Sequence, residues 1–215
     1  QLSRDLGITQ KTAWFILHRL RSLVTTKAPD MLLDNVVEAD ETYLGGKEAN
    51  RHLSKRKGLK GQGSIGRAAS EDKKPIVGVV QRNGRVVAKY VPNTKKEHIE
   101  PFIKENVKEG ARIITDEWYA YQDLKKAYTH DTIKHMLKVY VVGDIHTNTI
   151  ENFWSVLKRG IYGTYHQISR KHIQKYIDEF TFKYSTRTAT EQDRFDVALS
   201  NCNGRLKYST LIAKV

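Results

Sequence analysis

Asp40 closes the apolar run Val36-Val37-Glu38-Ala39-Asp40, and Asp116 closes a second, Ala111-Arg112-Ile113-Ile114-Thr115-Asp116. Glu151 opens an amphipathic stretch that carries Lys158 two turns later. A fold can gather carboxylates from two strand ends and one helix start into a single oxygen-rich site. Such a site suits Mg²⁺, with Mn²⁺ as a substitute, because hard cations take oxygen ligands and Mg²⁺ binds through few carboxylates plus substrate phosphate. Two cations held against a phosphodiester would activate an attacking water or 3′-hydroxyl and stabilise the leaving oxygen.

Each acid also has a plainer role open to it. Asp40 can close a strand, and Glu38 and Glu41 beside it make the choice among the three ambiguous. Asp116 can cap the helix that follows, and Glu151 can form a capping box with Asn148. Their ordered placement on strand, strand and helix favours the site. Helical spacing sharpens it: Ile150, Phe153, Trp154 and Leu157 form one stripe, expected in the core. Glu151 and Lys158 share another face, ~10 Å apart along the axis, so Lys158 can hold a phosphate as a point charge. His146 and Asn148, just ahead of the helix, can orient ligands or simply cap it.

The partner suggested by charge is DNA. The chain carries a formal net charge of +13 with a pI near 9.7, and Lys and Arg displace counterions from nucleic acid. Residues 45–74 concentrate the charge, with nine Lys/Arg against three acids. Six glycines make this a flexible basic loop, with Lys47, Lys55, Arg56, Lys57, Lys60 and Arg67 expected on DNA phosphates beside Lys158 and Arg159. The loop also contains Gly61-Gln62-Gly63-Ser64-Ile65-Gly66, a formal dinucleotide-binding match. It lacks the strand before and helix after that the motif requires, so no nucleotide cofactor is expected. The lone Cys202 permits no internal disulfide and no cysteine-based zinc site. No stretch approaches the roughly 18 apolar residues of a membrane span, no signal peptide is visible, and a cytoplasmic, nucleoid-associated chain is expected.

The elements that would position these residues follow from periodicity. Residues 1–24 suggest a helix-turn-helix: Gly7 at the turn, Thr9 as cap, Ala13, Ile16, Leu17 and Leu20 on the packed stripe, and Gln10, Lys11 and Thr12 exposed. A linker around Pro29-Asp30 leads to a strand over 36–44. Pro75–Gln81 and Val86–Val91 form a hairpin across Asn83-Gly84. Thr94-Lys95-Lys96-Glu97 matches a capping box; Pro101 argues that the regular helix starts late, and Gly110 is placed to end it. A strand over 111–116, a helix from about Tyr119 to Ala127, one or two short β segments in 131–142, and helices near 148–159 and 170–184 complete the order, before a polar, weakly patterned tail. This is α/β: an RNase H-like mixed sheet flanked by helices, with a partial helix-turn-helix in front. The expected division is 1–30 for the partial helix-turn-helix and linker, 31–190 for the catalytic domain with its basic insertion 45–74, and 191–215 for the tail.

Three blocks carry a family resemblance. Val37-Glu38-Ala39-Asp40-Glu41-Thr42-Tyr43-Leu44-Gly45-Gly46-Lys47 resembles the signature around the first catalytic aspartate of ISXO-type insertion-sequence transposases, relatives of the Merlin transposons. Ile114-Thr115-Asp116-Glu117-Trp118 with Tyr121 is similar to their second block, and His146 through Ser155 with Leu157-Lys158-Arg159-Gly160 to their third. The resemblance spans about 36–187, with the blocks in the family's order. It implies that Asp40, Asp116 and Glu151 are a DDE triad, intact where some members carry Asn at the third place, and that Lys158 is the downstream lysine. It implies nicking at element ends and then strand transfer by the freed 3′-hydroxyl into target DNA, with the terminal inverted repeats and the target duplex as partners. Two ends held together imply a homodimer or larger synaptic complex. Members usually carry a zinc ribbon ahead of the helix-turn-helix; with the start at Gln1, its absence reads as a missing N-terminus. Two other readings stand beside this one: an RNase H-like nuclease that only cuts, and an inactive, domesticated DNA-binding remnant.

Overall fold

The computed structural model describes residues 1–25, 31–45, 73–133, 143–202, 204 and 206–213. Five strands, β1 (Val36–Leu44), β2 (Lys74–Gln81), β3 (Val86–Tyr90), β4 (Arg112–Thr115) and β5 (Thr129–Thr132), form one sheet in the order β3-β2-β1-β4-β5. The first three pair antiparallel, whereas β1–β4 and β4–β5 are parallel. This is the RNase H-like layout, and it makes β1 and β4 neighbours. Val- and Ile-rich runs favour these strands because branched side chains pack well on a pleated surface.

Helices cover both faces. On one lie α3 (Lys96–Asn106) and a 3₁₀ helix (Tyr119–Lys126), whose Ile99, Phe102, Ile103, Tyr121 and Leu124 share a core with Val37, Ala39, Val77 and Val79. On the other lie α4 (Asn148–Gly160), extended by a π turn (Ile161–Tyr165), and α5 (Ile173–Ser185). There Ile150, Phe153, Trp154 and Leu157 are buried against Ile76, Val80 and Ala88, so the apolar stripe of α4 lies in the core as its spacing predicts. Successive residues of β1 therefore face opposite layers, with Glu38 and Asp40 toward α4.

The hairpin forms as read, with Asn83 at φ 59° in its turn. Several local expectations differ. Helix α3 begins at Lys96 and runs through Pro101, and Thr94 does not cap it: the Thr94 hydroxyl is engaged with Tyr43 Oη at 3.0 Å. Gly110 (φ 82°) does not end α3 either; Val107 has already left it to bridge Leu33, and Gly110 turns the chain into β4. The Tyr119 helix is 3₁₀ rather than α. Within 131–142, β5 supplies one strand from 129 to 132, and the remainder from 134 lies outside the described residues.

At the N-terminus, α1 (Leu2–Asp5) and α2 (Gln10–Leu23) flank a turn at Gly7 (φ 62°), and Thr9 caps α2 by accepting from Thr12 N–H (3.1 Å). Of the expected Ala13–Ile16–Leu17–Leu20 stripe of α2, Ala13 is buried, Ile16 and Leu17 are partly buried and Leu20 is exposed. His18 and Arg21 are buried in place of Leu20. The reason lies in α5, which offers polar and aromatic partners: Arg21 pairs with Glu179 (2.9 Å) and lies over Tyr176, while His18 packs against His172 and Tyr176. Gln10, Lys11 and Thr12 are exposed as expected, although the Lys11 ammonium lies over the Tyr208 ring. The tail is more ordered than its sequence suggests. It carries α6 (Glu191–Ser200) and α7 (Tyr208–Ile212), and Tyr208 packs edge-on against Phe15 of α2. Among the described residues no helix is long and apolar enough to cross a membrane.

Candidate active site

One open cleft of about 700 Å³ is lined by Asp40, Asp116, Glu151 and Lys158, together with Glu41, Thr42, Tyr43, Thr147, Trp154 and Ser155. Asp40 comes from the middle of β1 and Asp116 from the residue after β4; the parallel pairing of these strands brings the two together. Glu151 and Lys158 come from α4, which crosses the same end of the sheet.

The three adjacent acids of β1 have separate fates. Glu38 is fully buried and fully engaged. It accepts from the backbone N–H groups of Thr149 (2.8 Å) and Ile150 (3.0 Å), from the Thr149 hydroxyl (2.8 Å) and from Arg82 Nε (2.7 Å). It therefore caps α4 from across the sheet, where orphan N–H groups and the helix dipole favour an anion. Glu41, on the opposite face, accepts from the buried Tyr121 hydroxyl (2.9 Å). Asp40 faces the cleft, and among the described residues its one side-chain donor is Trp154 Nε1 at 3.0 Å. Burial, then the charges of Glu41 and Asp116, push its carboxyl up to about 8, against the pull of the Glu41 backbone N–H and the indole.

The indole reaches Asp40 because β2 places a glycine opposite it. Gly78 pairs with Asp40 in the β1–β2 register, and a Cβ there would stand 2.5 Å from Trp154 Cη2. Lys158 is half-buried; burial lowers its affinity for the proton, and Asp40 partly restores it. Glu151 is exposed, and its Oε1 accepts from the Thr147 hydroxyl at 3.0 Å. Thr147, not Asn148, is the N-cap of α4. His146 anchors Arg82, which donates to its Nδ1 (3.1 Å) and its carbonyl (3.0 Å). Among the described residues no three His, Cys, Asp or Glu side chains are close enough to grip one ion together.

Comparison with known proteins follows the same outline. Residues 32–185 match the ISXO2-like transposase domain. The chain belongs to the ISXO2-like transposase family. A protein in transposable element ISH50 of Halobacterium salinarum is 26% identical over 189 residues, covering 85% of this chain and 63% of that protein. A transposase-like protein of Haemophilus influenzae is 26% identical over 109 residues, 50% of this chain and 87% of its own length. The catalytic core of HTLV-2 integrase, solved with magnesium, overlaps 79% of this chain and 99% of its own, at a TM-score of 0.41 and 11% identity, an overlap too slight to carry over any property.

Of the transposase residues expected on DNA, Lys158 lines the cleft and Arg159 is exposed beside it on α4. Lys47, Lys55, Arg56, Lys57, Lys60 and Arg67 lie outside the described residues. Sequence reasoning named Glu38 only as a rival to Asp40 and missed its capping of α4, and it missed Arg82, Gly78 and the hydrogen bond of Trp154. Only Glu38 carried a signal: a charged residue two places before Asp40 shares its face of a strand.

Proposed function

We propose that this chain cuts DNA at the ends of an insertion sequence and joins the freed 3′ ends to target DNA, with Asp40, Asp116 and Glu151 as metal ligands and Lys158 on a substrate phosphate. The observation that carries the reading is Asp40: a carboxyl in an open cleft, beside two other acids, with one indole N–H as its side-chain donor among the described residues. Uncompensated acid of this kind is what a divalent cation relieves. The donor set fits Mg²⁺ or Mn²⁺ in kind, since all three side chains offer hard oxygen. Bound there, such ions supply Lewis-acid activation of the attacking oxygen and stabilise the leaving one.

The chain's own groups do the rest. Asp40 sits on β1 and Asp116 directly after β4, so the sheet fixes where they meet the reacting phosphate. Glu151, on the wall of the same cleft and held by Thr147, would complete the ligand set. Trp154 orients the Asp40 carboxylate. Lys158 places a positive charge on the cleft wall, where it meets phosphate without a proton transfer. The net charge of +13 supports DNA as the partner, and two element ends held together call for a homodimer or larger assembly.

The test is a joining reaction. Labelled DNA carrying the ends of the element that encodes this chain is incubated with plasmid target and Mg²⁺, beside Asp116→Asn. Joined product from the wild type alone supports the reading. Cleavage without joining would replace it with a nuclease, and DNA binding with neither reaction with a binding remnant. Asp116→Asn should lose cleavage while keeping DNA affinity; equal loss of both would make Asp116 structural.

A further inference from the structure

Trp118 and Tyr119 expose large aromatic surface, 40% and 51% respectively, immediately after Asp116. Trp118 is nevertheless fixed. Its backbone N–H donates to Asp116 Oδ1 (3.0 Å), and its indole Nε1 donates to the Thr94 carbonyl (3.1 Å). The Tyr119 ring lies 4.8 Å from it, tilted by 54°. Thr94 is buried, and its hydroxyl holds Tyr43 Oη at 3.0 Å; Tyr43 lines the acid cleft. One buried threonine thus pins an aromatic ring in the cleft wall and another just outside it. On its far side Tyr119 borders a hollow of mixed charge, lined by Lys95, Lys96 and Lys104 and by Glu97, Glu100 and Glu105.

Pinning an exposed indole costs rotamer freedom without the return that burial gives. Its indole contact lies on the ring edge and its other polar contact is made by the backbone, which leaves ring surface for a flat partner. The neighbourhood selects that partner: the platform adjoins a cleft whose acids suit a phosphodiester, in a chain of net charge +13. A nucleobase supplies a π-face of the right size, and stacking on aromatic rings tolerates any base sequence. A base inside a duplex has both faces covered, so the ligand must be unpaired.

We propose that Trp118, with Tyr119 beside it, stacks an unpaired nucleobase of the DNA strand whose phosphate meets the acid cleft. This rests on the cleft's handling DNA. The platform keeps the end of a cut strand from re-pairing and holds it near Asp116 without reading its sequence.

Full-chain protein is titrated in chelator, so that no cleavage occurs, with a DNA duplex bearing a short single-stranded end that carries a fluorescent adenine analogue. The same duplex with a blunt end serves as reference. The wild type should quench the analogue and prefer the single-stranded end by about tenfold, the order of one stacked base. Trp118→Ala should lose quenching and preference, Trp118→Phe should restore most of both, and Tyr119→Ala should lose part. Blunt-duplex affinity should be the same in all four proteins, which also reports that they are folded. Quenching and preference unchanged in Trp118→Ala, with blunt binding intact, would overturn the stacking site and leave the transposase reading standing. Failure of the wild type to bind either DNA would remove both.

Discussion

Glu38 and Asp40 lie on the same face of the same strand, two residues apart, and the protein treats them in opposite ways. Glu38 is sealed from water and surrounded by donors: two backbone N–H groups and a hydroxyl at the start of α4, and the Arg82 guanidinium. Asp40 opens on a cleft beside two acids, with an indole as its one side-chain donor among the described residues. A buried carboxylate with full partners is architecture, because removing it strands every donor it served. A carboxylate left short of partners is held in place by the rest of the fold for something that is not part of the chain. Glu38 fixes the start of α4, α4 carries Glu151 and Lys158, and the cleft is thus assembled around Asp40 by its neighbour.

The sharpest way to break this contrast is to remove Glu38. Glu38→Ala strands the Arg82 charge and orphans two helix N–H groups, so unfolding in urea should show a loss of about 3–5 kcal/mol. A loss below about 1 kcal/mol would mean that Glu38 does not anchor α4. A smaller effect is expected at Gly78. Gly78→Ala forces a methyl into the Trp154 ring, and overpacking of this kind costs about 1–3 kcal/mol. Because the displaced indole is the donor to Asp40, cleavage should fall further than the stability loss explains; activity that merely follows the folded fraction would show that Trp154 does not position Asp40.

The division between legible and illegible residues follows from the range of the interactions. Local signals were sufficient for β1 over 36–44, for the Asn83-Gly84 hairpin and for the apolar stripe of α4, since propensity, turn chemistry and period each act within a few residues. Asp40, Asp116, Glu151 and Lys158 were also readable, as acids closing two apolar runs and as one helix face, and all four line the cleft. What failed was long-range. Thr94-Lys95-Lys96-Glu97 has the pattern of a capping box, but Tyr43, distant in sequence, takes the Thr94 hydroxyl. The Leu20 side of α2 is more apolar than its Arg21 side, yet Arg21 is buried because Glu179 and Tyr176 await it on α5. Glu38 looked like a rival to Asp40 because nothing near it in sequence discloses the α4 terminus it caps. The weak pattern of the tail hid α6, all of whose residues remain at least partly exposed.

The smallest expected change is at Asp40 itself, and it bears most directly on the central claim. With its carboxyl pushed up to about 8 in the fold, Asp40 binds a proton more tightly folded than unfolded. Its contribution to stability is therefore full below the ordinary aspartate range and is lost as pH climbs toward 8. Asp40→Asn, which cannot ionise, should melt a few degrees higher than the wild type at mildly alkaline pH without metal. Mg²⁺ should reverse that order, because it stabilises the ionised carboxylate and must displace the proton to do so. The decisive measurement is the thermal midpoint of both proteins, with and without millimolar Mg²⁺, from mildly acid to mildly alkaline pH. The account predicts a Mg²⁺-dependent rise in the wild type that grows as pH approaches 8 and is absent from Asp40→Asn; an equal rise in both proteins, or none in the wild type at any pH, would contradict it.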